Sequence, residues 1–224
     1  MKLLIKYATR GRRSLYNGGI RNIQSMTTGP YDLIVSADTC DSAMQGLGIN
    51  YAPRTSKIGA INRDLEGVKF DWLDNFSDDM RFTIKGWDQR MLRQIQLVWG
   101  NSTDFFAHFN DGFVGDKLPT MSVIGRDYYQ RDKYIYHPSY NSVSCDAEAM
   151  FVAMMRGRHH YFPEVYFNHM HPANLRFPSD QTYRDNDKWG KSDTETYFKR
   201  MAKGFDVENP VFIPDEVRRA MLCV

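Results

Sequence analysis

Leu3, Leu4, Ile5 and Tyr7 make the segment from Lys2 to Tyr7 mostly apolar, and it stops at Ala8-Thr9-Arg10-Gly11-Arg12-Arg13. A run of this length bounded by polar and glycine residues reads as a buried strand. The spacing then changes. Leu15, Ile20 and Ile23 recur at partly helical intervals between Ser14 and Met26, and Thr27-Thr28-Gly29-Pro30 stops that helix. Tyr31 to Ala37 reads as a second strand ending in Asp38-Thr39-Cys40-Asp41, with a short helix over Ser42 to Leu47. Lys57 to Ile61 reads as a third, short strand with Asn62-Arg63-Asp64 at its end. Phe70 to Met80 reads as a fourth, ending in the acid pair Asp78-Asp79, and Arg81 to Asp88 as a turn into a helix.

The pattern continues in the same alternation. Met91, Leu92, Ile95 and Val98 form one apolar stripe on a helix over Trp87 to Trp99. Phe105 to Gly112 reads as a strand and turn, Thr120 to Ile124 as a strand, Gly125 to Arg131 as a short helix and Tyr134 to Pro138 as a short strand. Ser144 caps a helix that ends at Gly157, and Tyr161 to Phe167 is a strand leading into Asn168-His169-Met170-His171-Pro172. From Ala173 to Gly190, through Arg176 and Phe177, polar and aromatic residues predict a surface loop able to cover a ligand. Helices over Asp193 to Ala202 and Pro214 to Leu222 follow. Strands alternating with short helices predict an α/β fold with a mostly parallel central sheet.

In such a sheet, ligands bind at the carboxyl ends of the strands. Those ends here carry Thr9/Arg10, Asp38, Asn62/Arg63 and Asp78/Asp79, so the polar residues are expected on one edge. Thr9, Arg10 and Arg12 precede a helix, where phosphate binds readily, and arginine forks suit a diphosphate. The spacing is neither a Walker loop nor a dinucleotide fingerprint. A solvated basic turn is the plainer reading. Adjacent carboxylates suit Mg2+ or Mn2+, which take oxygen ligands and keep positions open for substrate; helix capping is the plainer use. Asp146 and Glu148 divide likewise between a general base and acids favoured at a helix start. His169 and His171 project the same way in an extended segment, as a metal or diphosphate contact would.

Composition narrows the class. The chain has 224 residues, 42% hydrophobic and 25% charged, enough for one large domain. A net charge of +2 gives no field suited to tight duplex binding. No apolar run has the length of a membrane span, and the first residues do not have the pattern of a signal peptide. Cys40, Cys145 and Cys223 are few, odd in number and far apart, which points to a reducing compartment.

In order, these segments resemble the GT-A fold glycosyltransferases, particularly the short, single-domain, family-two-like enzymes of bacteria and phages. The residues that carry the likeness are Ala8-Thr9-Arg10-Gly11-Arg12, Val35-Ser36-Ala37-Asp38, Ala60-Ile61-Asn62-Arg63-Asp64, Ser77-Asp78-Asp79-Met80, Cys145-Asp146-Ala147-Glu148 and His169-Met170-His171-Pro172. The resemblance implies one GT-A-like domain over 1–224: a nucleotide-sugar half over 1–100, an acceptor and metal-completing part over 101–172, and a lid loop with terminal helices over 173–224. It implies a UDP- or GDP-sugar donor, with Thr9, Arg10, Arg12, Asp38, Asn62, Arg63 and Asp78 around the nucleotide and its phosphates. Mn2+ or Mg2+ would sit on Asp79, completed by His171 or alternatively His169. Asp146, or alternatively Glu148, would be the acceptor-side base in an inverting transfer. The acceptor would be a glycan or another hydroxyl compound, modified DNA being the phage alternative, in the cytoplasm of a bacterium or infected host. Two departures stand out: Ala8 replaces a usual proline, and Thr39-Cys40-Asp41 replaces a denser acidic run. The competing functions are nucleotidyl transfer to a sugar phosphate and a catalytically silent glycan-binding module.

Overall fold

The computed structural model describes residues 1–174 and 178–223. Arg176 and Phe177 of the anticipated loop lie outside the described residues. The first half contains β1 (Leu3–Ala8), α1 (Arg13–Met26), β2 (Tyr31–Asp38), β3 (Asn50–Ala52), α2 (Lys57–Asn62), β4 (Trp72–Phe76), β5 (Met80–Phe82) and α3 (Trp87–Trp99). The second contains β6 (Phe106–Asn110), β7 (Ser122–Gly125), α4 (Arg126–Asp132), α5 (Cys145–Met155), β8 (His159–Val165) and β9 (Phe167–His169). Helices α6 (Gln181–Asp187), α7 (Gly190–Met201) and α8 (Asp215–Leu222) follow.

Seven strands form the main sheet in the order β3-β2-β1-β4-β7-β6-β8. Strands β3, β2, β1 and β4 are parallel neighbours, as the alternating pattern predicts. Strand β7 reverses direction, pairing antiparallel with both β4 and β6, while β8 is parallel to β6. A two-stranded antiparallel sheet joins β5 to β9, with Met80 opposite His169.

The strand β1 explains why the chain starts with apolar residues on both faces, Lys6 being the one charged residue of the strand and buried beside Ser36 and Asp64. Leu3, Ile5 and Tyr7 enter a core shared with Ile23 of α1 and Trp87, Met91 and Ile95 of α3. Leu4 enters a second core with Ile58 and Ile61 of α2 and Tyr128 and Tyr129 of α4. A strand covered on both faces needs apolar residues at odd and even positions alike. Truncating Leu4 or Ile5 to alanine would cost about 2–5 kcal/mol.

Two of the anticipated strands are not strands. Lys57–Asn62 is helical: the Ser56 side chain accepts from the Gly59 amide, and Ile58 and Ile61 share one buried face three residues apart. The short apolar segment fits both periods, and the cap decides between them. Tyr134 to Pro138 is irregular; its backbone is held by the Asn62 side chain, which accepts from the Ile135 and Tyr136 amides and donates to the Tyr136 carbonyl. The helix expected over Ser42 to Leu47 shrinks to one 3-10 turn, Ser42–Met44. The loop expected after Ala173 contains α6, started by Asp180, which accepts from the Tyr183 amide at 3.1 Å. Ser144 precedes α5 with a left-handed φ of 64° and makes no side-chain cap.

Candidate functional site

Beyond the ends of β1, β2 and β4 opens a cavity of about 550 Å3. Thr9, Arg10, Arg12, Asp38, Asp78, Asp79, Asp146, His169 and His171 all line it. The structure therefore gathers residues spread from position 9 to position 171 around one space.

The acid pair lies in the turn between β4 and β5, and its two carboxylates face different ways. Asp78 turns inward, where the Tyr7 hydroxyl (2.9 Å) and the Thr9 hydroxyl (3.0 Å) donate to its Oδ1. Tyr7 can reach it because residue 19 of α1 is glycine: a Cβ there would lie 2.6 Å from the Tyr7 oxygen. Burial pushes the Asp78 carboxyl up to about 7, against the lowering effects of Tyr7, Arg12 and Thr9. Asp79 faces the cavity. Ser77 donates to its Oδ1 at 2.5 Å, the Tyr183 hydroxyl donates to its Oδ2 at 2.5 Å, and His169 Nε2 lies 3.3 Å from the same oxygen. Burial alone would raise this carboxyl, but His169, Ser77 and Tyr183 outweigh it and hold it far below the usual range. Arg81 clamps the turn, donating to the carbonyls of Asp78 (2.8 Å), Met80 (2.5 Å) and Leu15 (3.2 Å).

His169 ends β9, and His171 follows two residues later. The backbone ladder to β5, extended by the Met170 amide donating to the Asp79 carbonyl at 2.8 Å, sets His169 against Asp79. The His171 ring stands 5.4 Å from that of His169 and edge-on to Tyr183 at 4.9 Å. His169, rather than His171, is thus the nearer to Asp79. The donor types fit a borderline cation such as Mn2+, which accepts carboxylate oxygen and imidazole nitrogen. Among the described residues, no three His, Cys, Asp or Glu groups converge closely enough to hold one. Asp79 Oδ2 is shared with Tyr183, so a cation there requires the phenol to yield.

At the ends of β1 and β2, Arg10 donates to Asp38 at 2.6 Å through Nε and to the Thr55 carbonyl at 2.7 Å. Arg12 grips Asp180 with two bonds of 2.8 and 2.9 Å and lies over the Tyr183 ring at 4.1 Å. Two residues expected beside the nucleotide stand back from the cavity. Asn62 is spent on the 135–136 backbone, and Arg63 braces Asp38 from behind at 3.4 Å and donates to the Pro53 carbonyl at 3.3 Å.

Opposite, Asp146 at the start of α5 lines the cavity beside Ser144 and Ala147. Burial raises its pKa, opposed by the charge of Lys57, another lining residue. Glu148, two residues on, faces away. Tyr140 donates to it at 2.5 Å, and Arg200 grips both its oxygens at 2.9–3.0 Å. It is 3% exposed and absent from the cavity wall, so its expected role as alternate base gives way to an ion pair joining α5 to α7.

Sequence reasoning missed several residues. Tyr183 and Asp180 reach the site from more than a hundred residues away and leave no local signature. Asp193 is fully buried in α7 and accepts from the amides of Asn141, Ser142 and Val143, which anchors the rim leading to Asp146. Asp111 accepts from the amides of Phe113 and Val114 and the hydroxyl of Thr120, shaping the opposite rim. Its Asp-Gly sequence signals a turn, which was the available hint.

Among solved structures, this fold is that of the GT-A glycosyltransferases. A mannosyltransferase from Pyrobaculum calidifontis, in complex with GDP-Man and Mn2+, matches with a TM-score of 0.64 at 13% identity, over 98% of this chain and 68% of that one. S. aureus TarS 1–349 in complex with UDP-GlcNAc matches at 0.61 and 8% identity, over 99% of this chain and 70% of that one. A galactosyltransferase 7 variant from Drosophila, in complex with manganese, UDP-Gal and xylobiose, matches at 0.51 and 10% identity, over 82% and 78%. The chain spans 42% of a longer TarS chain. At such identities the likeness is one of fold, and function has to be argued from the site. No protein-family model matches the sequence, and no curated protein does. Among the described residues, no helix is long and apolar enough to cross a membrane.

Proposed function

We propose that this protein is a metal-dependent glycosyltransferase that moves a sugar from a UDP- or GDP-sugar to an acceptor hydroxyl with inversion. The observation that carries the reading is the single cavity lined by Arg10, Arg12, Asp79, both late histidines and Asp146. The nucleotide-sugar complexes of the structural neighbours support it. In this reading the part of the chain up to residue 100 receives the nucleotide, with Thr9, Arg10 and Asp38 at the nucleoside. Arg12 receives a phosphate. Asp79 with His169 or His171 would hold Mn2+ or Mg2+, which would supply positive charge toward the diphosphate.

Asp146 then performs the proton transfer. The acceptor oxygen attacks the anomeric carbon, the bond from that carbon to the diphosphate oxygen breaks, and the acceptor proton passes to the Asp146 carboxylate. Burial, which raises the Asp146 pKa against the opposing charge of Lys57, suits this task, because a base works best with a pKa raised toward the operating pH. The wall residues Val114, Leu118, Thr120 and Val143 would face the acceptor, a glycan or other hydroxyl compound, with modified DNA as a further class to assay.

The test is a panel of nucleotide sugars with Mn2+, read as released nucleoside diphosphate and as donor binding by calorimetry. Release or binding that depends on Mn2+ is the expected result. A chain that binds no donor overturns the reading, and glycan binding without donor binding would favour a silent glycan module.

A further inference from the structure

The groups that would receive the donor are already occupied, and by the chain itself. Arg12 is 9% exposed and holds Asp180 by a two-pronged contact. A guanidinium fork binds carboxylate and phosphate in the same geometry, so Asp180 presents to Arg12 what a phosphate would present. The oxygen of Asp79 nearest His169 accepts the Tyr183 hydroxyl. Between these two contacts, the Thr182 hydroxyl donates to the Arg10 carbonyl at 3.2 Å. One short stretch, Asp180–Tyr183, thereby takes the phosphate position, the cation position and the backbone between them.

We infer that Asp180–Tyr183 is an internal stand-in for the donor's diphosphate and its cation, so that the resting site is self-occluded and the stretch must leave when the donor binds. The inference rests on the sugar-nucleotide reading. Its physical logic is charge. A guanidinium as buried as Arg12 needs a counter-ion at all times, since an unpaired buried charge is costly. Asp180 serves while no phosphate is present. Its own carboxylate is 35% exposed, which makes the pair weak enough to exchange for a more highly charged phosphate. Tyr183 likewise shields the Asp79 charge with a neutral hydroxyl that a divalent cation can displace. A lid that only closed over a donor would meet the donor's outer surface; this stretch instead bonds to the groups beneath it.

The full-length protein gives a test whose outcome differs in sign. Calorimetry with UDP or GDP in the presence of Mn2+ compares the wild type with the double variant Asp180→Asn, Tyr183→Phe. The phenylalanine keeps the ring against Arg12 and His171. The stand-in predicts roughly tenfold tighter diphosphate binding in the double variant, because the competent fraction of molecules rises. Equal or weaker binding overturns the inference and leaves sugar transfer standing if the wild type binds. Should neither protein bind either diphosphate, the sugar-nucleotide reading falls and the inference with it. Hydrogen exchange on the wild type needs no variant: amides 181–187 should exchange faster on saturation with Mn2+ and the diphosphate, and unchanged or slower exchange refutes displacement.

Discussion

Two acidic pairs, the adjacent Asp78 and Asp79 and the nearly adjacent Asp146 and Glu148, are treated in opposite ways by the backbone. In the turn after β4, both acids stay at the cavity, one facing β1 and one facing the histidines. At the start of α5, residues two apart lie about 200° apart around the axis at 3.6 residues per turn. One of that pair can face the cavity, and the other must face the protein interior, where Arg200 and Tyr140 neutralise it. Carboxylates close in sequence therefore share a function only where the backbone holds them on one side.

The contrast can be broken experimentally. Asp79→Ala should have the largest effect, a loss of transfer of about a thousandfold or more with Mn2+-dependent diphosphate binding gone by calorimetry. Next, Asp146→Asn should lower kcat by roughly 10^2–10^4 while leaving the diphosphate dissociation constant unchanged. A variant at full rate would mean that the base lies elsewhere. Glu148→Ala should behave as a stability variant, because it leaves Arg200 without its main partner. The expected cost is about 3–5 kcal/mol in denaturant unfolding, with kcat per folded molecule retained. If instead it abolishes transfer in a stable protein, the division between the two α5 acids is wrong.

The smallest effect, taken per pH unit, concerns a carboxyl outside both pairs. Asp74 on β4 is fully buried, neither oxygen has a hydrogen-bond partner, and burial raises its pKa well above the usual range. A raised folded-state pKa gives stability that is complete below the unfolded value, about 4, and lost as pH rises above it. Asp74→Asn removes this titration. Its stability relative to wild type should grow by up to about 1.4 kcal/mol per pH unit above pH 4. Parallel melting curves from pH 4 to 8 would check this, and a constant offset would refute it.

Legibility in the sequence followed the range of the cause. Strand β1 and the α3 stripe at Met91 and Ile95 were readable because burial imposes a period on neighbouring residues. That Asp38 and Asp79 line one cavity was readable because polar residues just past parallel strands collect at one edge of the sheet. Residues 57–61 are ambiguous in sequence because five residues with two isoleucines fit either period, and the Ser56 cap settles them as helix. Glu148 stands as the alternative to Asp146 in the sequence because the pattern there does not fix which side of α5 faces the pocket. Asn62 and Arg63 were placed beside the nucleotide on the strength of that mistaken strand; their side chains serve the backbone at Tyr136 and the back of Asp38. The antiparallel insertion of β7, and the arrival of Tyr183 at Asp79, depend on partners distant in sequence and have no local trace.

The ladder between β5 and β9 has a bearing on how the molecule comes together. It ties residues 80–82 to residues 167–169, a span of nearly ninety positions. Closing so wide a loop is slow, and contacts of this range dominate the late stages of folding. A nascent chain that has emerged only as far as β8 therefore carries its acid turn with no imidazole facing it. His169 meets Asp79 only once β9 has docked on β5, whatever the state of the rest of the sheet.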